Sequence, residues 1–491
     1  MHLGDLLVAH GVLTHQELQQ AKERQRAHGG QLGENLVALG RLSEGQLTEY
    51  LDYFPNEPNT IEETGVPETV LLALTMKILY VRALDTASKL ADALCLSSKI
   101  ANDLLDIARE RKLVEVLGTA GSSMVAELRY AVTSKGKEWA IEALELSQYA
   151  GPAPVPLDAY CAQVERQTIA AERVSYDLFM RKLQHMVLQP SLVREFGPAI
   201  NSGRAILIYG PPGNGKTMIA EAIGRTFQGV AHIPHAVEID GQIIKVFDPT
   251  VHEELDRRQG GNGRSRVSMR AQEKTIDRRW VACRRPVIVA GGELSLAMLD
   301  LGFNPLAKFY EAPLQMKAMN GVFIIDDFGR QAAEPRDILN RWIIPLNNRI
   351  DYLALNTGKK FQVPFDCLLI FSTNLQPADL MDDAFLRRLP YKIMMGRPTL
   401  EDYCEIFRRV CRQHKLENPP GILEYLINDY YRKFNLPLSA NHPRFLIDCI
   451  VDYCRYIDKP PALTTDLMTF ALRNLSVNDA DRPPPPAALP E

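Results

Sequence analysis

Residues Gly210 to Thr217 read GPPGNGKT and follow the apolar run AILIY without a break. That run has the composition of a buried strand, and the segment beyond the loop, TMIAEAIGRTF, has the apolar spacing of an amphipathic helix. The match to G-x-x-x-x-G-K-[ST] is complete, and its strand, loop and helix setting gives it physical meaning. Backbone N–H groups of the loop and of the first helical turn converge there as oriented dipoles, a geometry that suits a polyphosphate. The candidate binding residues are Gly210, Pro211, Pro212, Gly213, Asn214, Gly215, Lys216, Thr217 and Met218. Lys216 adds a point charge against the β and γ phosphates, and Thr217 offers its hydroxyl to magnesium.

A magnesium nucleotide requires a carboxylate from elsewhere in the chain, and VFIIDDFGR supplies two at the end of an apolar strand. Asp326 is expected in the metal shell, and Asp327 is expected to orient or deprotonate an attacking water, a part more often played by glutamate. The next buried run, CLLIFSTNL, ends near Asn374, whose amide suits the same water or the γ phosphate. Farther on, DDAFLRRLPYKI contains Arg387 and Arg388, and NHPRFLI opens a late helix with Arg444. Guanidinium groups suit the charge that develops on a phosphoryl group in transfer.

Phosphate loop, acidic strand end, asparagine, AFLRR and HPR, in that order over about residues 157 to 475, resemble an AAA+ ATPase. The resemblance implies an α/β core with a parallel sheet (158–390) and a helical lid (391–476), ATP hydrolysis with Mg2+, and a ring of copies, commonly six. It gives Asn374 the role of sensor 1, Arg387 or Arg388 that of the arginine finger that completes a neighbour's site, and Arg444 that of sensor 2. The DDFG variant is similar to helicase-loader and transposition ATPases. The segment DYLALNTGKKFQVPF reads as a hairpin around Asn356 to Lys359 and resembles the insertion of the pre-sensor-1 clade, which includes MoxR ATPases; Lys359 and Lys360 would then be working tips. AVEIDGQIIKVFDP carries the Asp240-Gly241 signature of a second hairpin. A phosphate-loop kinase is the other reaction class, and it would not require the lid arginine.

At 491 residues the chain is long enough for roughly three domains. Residues 1–60 repeat with a period of 29: Leu3-Gly4, Leu7-Val8, Gly11, Leu13-Thr14 and Leu18 return as Leu32-Gly33, Leu36-Val37, Gly40, Leu42-Ser43 and Leu47. The spacing predicts two helix pairs, each second helix opened by a capping box, Thr14 with Glu17 and Ser43 with Gln46. This small all-α unit resembles the N-terminal domain of type II secretion and type IV pilus ATPases, some of which bind cyclic di-GMP. That family's ligand motif opens Arg-Leu-Gly and closes on glutamine; here His2 and Gln31 stand at the two openings and Gln25 and Phe54 at the two ends. The module is therefore read either as a cyclic di-GMP sensor or as a docking unit.

Residues 66–149 follow the order of a winged helix: three helices, strand LVEVL, a turn, strand VAELRYAVT and a last helix. Its third helix could meet a DNA major groove, although Asp103, Asp106 and Glu110 offset Lys99, Arg109, Arg111 and Lys112 there. GPAPVP within residues 150–157 reads as a stiff extended linker, and 477–491 as a disordered proline-rich tail. Arg257 to Arg285 holds ten Lys or Arg against two acids, a local basic patch for nucleic acid or an acidic partner, in a chain whose net charge is only -4. That balance argues against a nucleic-acid coat protein or a membrane-surface binder. Eight cysteines without C-x-x-C spacing and no long apolar run point to a reduced, cytoplasmic protein without membrane insertion. The motifs and the AAA+ resemblance together imply an ATP hydrolase that remodels a protein client or a nucleoprotein assembly, with a nucleotide-gated regulator of little hydrolysis as the alternative.

Overall fold

The structure, a computed structural model, describes all residues except 1–3, 5–6, 9–10, 30–31, 121–126, 256–275, 476–482 and 486–491. At its centre is a parallel sheet of five strands: β1 (Ile206–Tyr209), β2 (Val287–Ala290), β3 (Val322–Ile325), β4 (Leu368–Thr373) and β5 (Tyr391–Met394), in the spatial order β5-β1-β4-β3-β2. Strands buried on both faces read as continuous apolar runs, and every residue of β3 and β4 is buried. Alternation then sorts the side chains. Ile206, Ile208, Ile324 and Ile370 meet Phe179, Phe196, Ile219 and Ile223 on one face, whereas Leu207, Phe323, Ile325 and Phe371 meet Phe328, Ile338 and Trp342 on the other. The mixed α/β core with a parallel sheet is as the sequence predicts, except that β5 extends it past residue 390 by pairing with β1. Because β1, β3 and β4 run parallel, the phosphate loop, the acidic pair and Asn374 all emerge at one edge of the sheet.

A second β layer stands beside this core. Its sheet has the order Gly302–Asn304, Phe309–Glu311, Gln242–Lys245, Ala236–Ile239 and Val155–Pro156. Asp240 and Gly241 both have positive φ, 50 and 78 degrees, as a type I′ turn requires. The hairpin of Ile350–Ala354 and Lys360–Pro364 buries Leu353, Leu355, Phe361 and Val363 against Val237, Ile239, Ile244 and Tyr310. The Lys359 ammonium at its tip pairs with the Asp240 carboxylate at the tip of the other hairpin. The hairpin that the turn chemistry predicts is therefore one layer of a packed β unit, and Lys359, expected with Lys360 as a working tip, is engaged with Asp240.

The GPAPVP stretch also departs from expectation. Val155–Pro156 pairs with Val237–Glu238, Ala153 N–H donates to Leu94 O at 2.8 Å, and Ala153 and Val155 are fully buried. An extended apolar segment free of helix has unpaired backbone groups to satisfy, and here a sheet edge satisfies them. Beyond it, Arg279 and Asp277 form a buried ion pair at 2.8 Å, and the same guanidinium donates to Thr64 O and Pro154 O.

Toward the N-terminus, helices Glu68–Arg82, Ala87–Leu94 and Ser98–Glu110 precede the antiparallel pair Val114–Ala120 and Glu127–Val132 and the helix Ser134–Leu146, all around one core. The turn between those strands lies outside the described residues. In the duplicated segment, both capping boxes are present, at Thr14 with Glu17 and Ser43 with Gln46, and Leu7, Leu13, Leu18, Leu32, Leu36 and Leu42 share one small core. His2 and Gln31, residues 257–275 of the basic segment and most of the tail lie outside the described residues. Among the described residues no helix is long and apolar enough to cross a membrane.

Candidate nucleotide-binding site

The loop turns because three glycines adopt backbone angles that other residues avoid: Gly210 has φ 140, Gly213 φ 77 and Gly215 φ 86 degrees. Gly210 also sits where a Cβ would lie 2.3 Å from Met395 O, so no side chain fits. Gly215 leads straight into the helix Lys216–Gly224, whose first N–H groups have no partner within the helix.

The side chains of the site form a string drawn from three strand ends. Thr217 Oγ1 lies 2.9 and 2.8 Å from the two carboxylate oxygens of Asp326. Lys216 Nζ donates to Gly210 O and Pro211 O, each at 2.9 Å, and to Asn374 Oδ1 at 2.5 Å, which engages all three of its protons. Asn374 Nδ2 donates to Asp327 Oδ1 at 2.8 Å. The Asn374 amide is thus fixed with its oxygen toward a cation and its nitrogen toward an anion. Burial pushes the Lys216 ammonium below the usual lysine range, against the opposite pull of Asp327 and Asp326.

Asp327 has φ 48 degrees, a left-handed conformation that aspartate tolerates better than most residues. It is held there from both sides: Asp326 N–H donates to Ala290 O at 2.9 Å, Phe328 N–H to Ser372 O at 2.7 Å, and Thr373 Oγ1 to Phe328 O at 2.7 Å. Gln331, which sequence reasoning missed, braces the turn by donating to Asp326 O at 2.9 Å and Asp327 O at 3.2 Å. No sequence signal marks it, because it acts on backbone.

Thr217 and Asp326 together present one hydroxyl and two carboxylate oxygens, a hard-donor set that fits Mg2+, which takes one or two carboxylates and completes its shell with phosphate and water. Among the described residues no cluster of three or more His, Cys, Asp or Glu forms a metal cage.

The three arginines are placed differently. Arg387 and Arg444 are exposed, and among the described residues no hydrogen bond or ion pair joins either to the phosphate loop. Arg388 is half-buried and lines a cavity of about 530 Å³ with Arg336, Leu339, Ile343, Asp382 and Phe385.

A helical unit covers the loop from the other side. Helices Leu400–Gln413, His442–Tyr456 and Thr465–Leu475, with a wide π-helical segment Tyr425–Arg432, close around Tyr403, Phe407, Leu426, Leu446, Ile450 and Leu467. Arg409 ties this unit to the core by donating to Gln184 O at 2.8 Å and Met186 O at 3.0 Å. Ser439, Ala440 and Asn441 reach the loop itself, with Asn441 N–H donating to Gly213 O at 2.9 Å.

The family model described as "Domain of unknown function (DUF8689)" matches residues 399–474, which begins at the N-cap of the first lid helix and ends inside the last. A 53-residue stretch is 40% identical to the vesicle-fusing ATPase of Dictyostelium discoideum, covering 11% of this chain and 7% of that relative. The chain thus spans a small fraction of that protein's length. Among solved structures, NtrX from Brucella abortus in complex with ATP is 15% identical over 68% of this chain and 62% of its own, with a TM-score of 0.35. The Thermotoga maritima RuvB Holliday junction branch migration motor is 14% identical over 60% of this chain and 72% of its own, with a TM-score of 0.31.

Proposed function

We propose that this chain is a Mg-ATP-hydrolysing ring ATPase of the AAA+ type that remodels a protein or nucleoprotein assembly. The observation that carries the reading is the hydrogen-bonded string in which Thr217 meets Asp326 and Lys216 meets Asp327 through Asn374. Residues some 110 to 160 positions apart in sequence converge on one loop, and each has the chemistry that a triphosphate asks of it. ATP would lie with its phosphates against the loop amides, with Lys216 exchanging part of its present bonding for phosphate oxygens. When bound, Mg2+ supplies charge neutralisation at the β and γ phosphates. Asp327 accepts a proton from a water that Asn374 helps to hold; the water oxygen bonds to the γ phosphorus, and the bond to the β–γ bridging oxygen breaks, leaving ADP with the electron pair.

Exposed Arg387 suits a finger offered to the next copy, whereas Arg388 is half-buried and lines a cavity. A ring is then part of the site, because one copy holds the triphosphate and its neighbour stabilises the transition state. Arg444, on the first turn of its helix, would reach the phosphates after lid closure.

For the client, a protein is favoured over DNA. On the helix Ser98–Glu110 and just past it, Arg109 pairs with Asp106 at 2.9 Å and Arg111 with Glu68 at 2.6 Å. The described part of the basic segment is similarly neutralised: Arg278 pairs with Asp92, Arg279 with Asp277, Arg284 with Glu253 and Arg285 with Glu172. The duplicated N-terminal unit serves as the receiving module for that partner or for cyclic di-GMP.

A second reading, a nucleotide-gated regulator with little hydrolysis, draws on Asp327, which is one methylene shorter than the glutamate usual at that step. Steady-state phosphate release by the full chain, with Lys216→Ala and Asp326→Asn beside it, tests the enzyme reading. Release that both substitutions abolish supports it; ATP binding with negligible release at every protein concentration favours the regulator.

A further inference from the structure

The lid segment Ser439–Asn441 does more than cover the loop. Asn441 N–H donates to Gly213 O at 2.9 Å, and Ser439 Oγ lies 3.4 Å from Gly213 O and 3.5 Å from Pro212 O. Ala440 N–H donates to Asn214 Oδ1 at 3.3 Å, and Ser439 Oγ donates to Asn441 Oδ1 at 2.7 Å. The fit leaves no slack: a Cβ on Gly213 would lie 2.5 Å from Asn441 Oδ1 and 2.6 Å from Ser439 Oγ. In a planar trans peptide the C=O and the following N–H point in opposite directions. Drawing the Gly213 carbonyl toward the lid therefore turns the Asn214 N–H away from it.

What holds the segment is a buried relay. His442, next to Asn441, has its Nδ1 2.7 Å from the Tyr431 hydroxyl, with the two rings stacked at 5.9 Å and 13 degrees. The Tyr431 hydroxyl is in turn 3.0 Å from that of Tyr403. Tyr403 and Tyr431 are 0 and 3% exposed, so their hydroxyls depend on one another and on the imidazole. Tyr431 belongs to the π-helical turn, a wider turn that recurs at functional sites. Burial, with Arg397 nearby, pushes the His442 ring down to about 4, so it is neutral around pH 7.

We propose that Tyr431 is a positioning residue of the phosphate site: through His442 it seats Ser439–Asn441 on the Gly213 carbonyl and so aims the Asn214 amide at the terminal phosphates of the nucleotide. This rests on the nucleotide reading above. It predicts a loss that grows with the number of phosphates, since the amides at the loop apex serve the β and γ groups and a general loosening of the lid would weaken all nucleotides alike.

The test is equilibrium binding of AMP, ADP and ATP to the full chain and to Tyr431→Phe, which removes one hydroxyl and keeps the ring. The expected result is AMP binding unchanged, ATP binding weakened about fivefold, the worth of one hydrogen bond, and a loss in turnover that falls on KM more than on kcat. Ser439→Ala, which leaves the relay intact, should give the same pattern and serves where Tyr431→Phe does not fold. Equal losses for all three nucleotides, or none, with a wild type that binds ATP would overturn the proposal while leaving the ATPase reading standing. A wild type that binds no nucleotide would overturn both.

Discussion

Asp327, the proposed proton acceptor, also carries a left-handed backbone. Its left-handed φ is tolerated because asparagine and aspartate bond locally there, and the adjoining Phe328 backbone is pinned to β4. Asp327→Asn should keep the turn and ATP affinity, within about threefold, while removing the proton acceptor. Turnover should then drop by about a hundredfold or more, measured as phosphate release at saturating ATP. Gly213→Ala is the complementary case: the new methyl would collide with Ser439 and Asn441, so nucleotide affinity should fall even though no charged group is touched. At this scale the loop, Asp326, Asp327 and Asn374 are legible in the sequence, because each lies at the end of an apolar run and their order carries the meaning. Gln331, Ser439 and Asn441 are not. The last two act on a loop more than 220 positions away, and nothing in SANHPR announces which backbone carbonyls it will meet.

The elements show where reading by local pattern stops. The central strands stand out as uninterrupted apolar runs, and the capping boxes of the duplicated unit mark its helix starts. GPAPVP and the Lys359 hairpin read locally as linker and working tip, yet the second β layer takes up both, since partners for a strand edge are chosen by the rest of the fold. The Arg279–Asp277 pair binds three such pieces together through Thr64 O and Pro154 O. Asp277→Asn leaves a buried guanidinium without its counter-charge and should cost about 3–5 kcal/mol, read from denaturant unfolding.

The lid has a pH signature of its own. His442 titrates at about 4 in the fold against an ordinary 6.5, so between those values the unfolded chain binds the proton more readily and stability falls as pH falls. His442→Gln should lose less melting temperature than wild type between pH 7 and 4.5; an equal loss would place the acid sensitivity elsewhere.

For the whole molecule, the proposed ring would make one copy insufficient for turnover. Among the described residues no arginine bonds to the loop proposed to hold the phosphates, and Arg387 is exposed. Turnover per copy should therefore rise with protein concentration, and Arg387→Ala should remove that rise without weakening ATP binding. Mixing Arg387→Ala with Lys216→Ala chains should restore activity in part, since each lacks what the other provides. The most direct measurement is steady-state phosphate release from Mg-ATP by the full chain over a range of concentrations, alongside Lys216→Ala. Turnover is expected to climb with concentration in the wild type and to be absent in the variant. Release that is equal in both, or missing from a wild type that binds ATP at every concentration, would contradict the proposed ring ATPase.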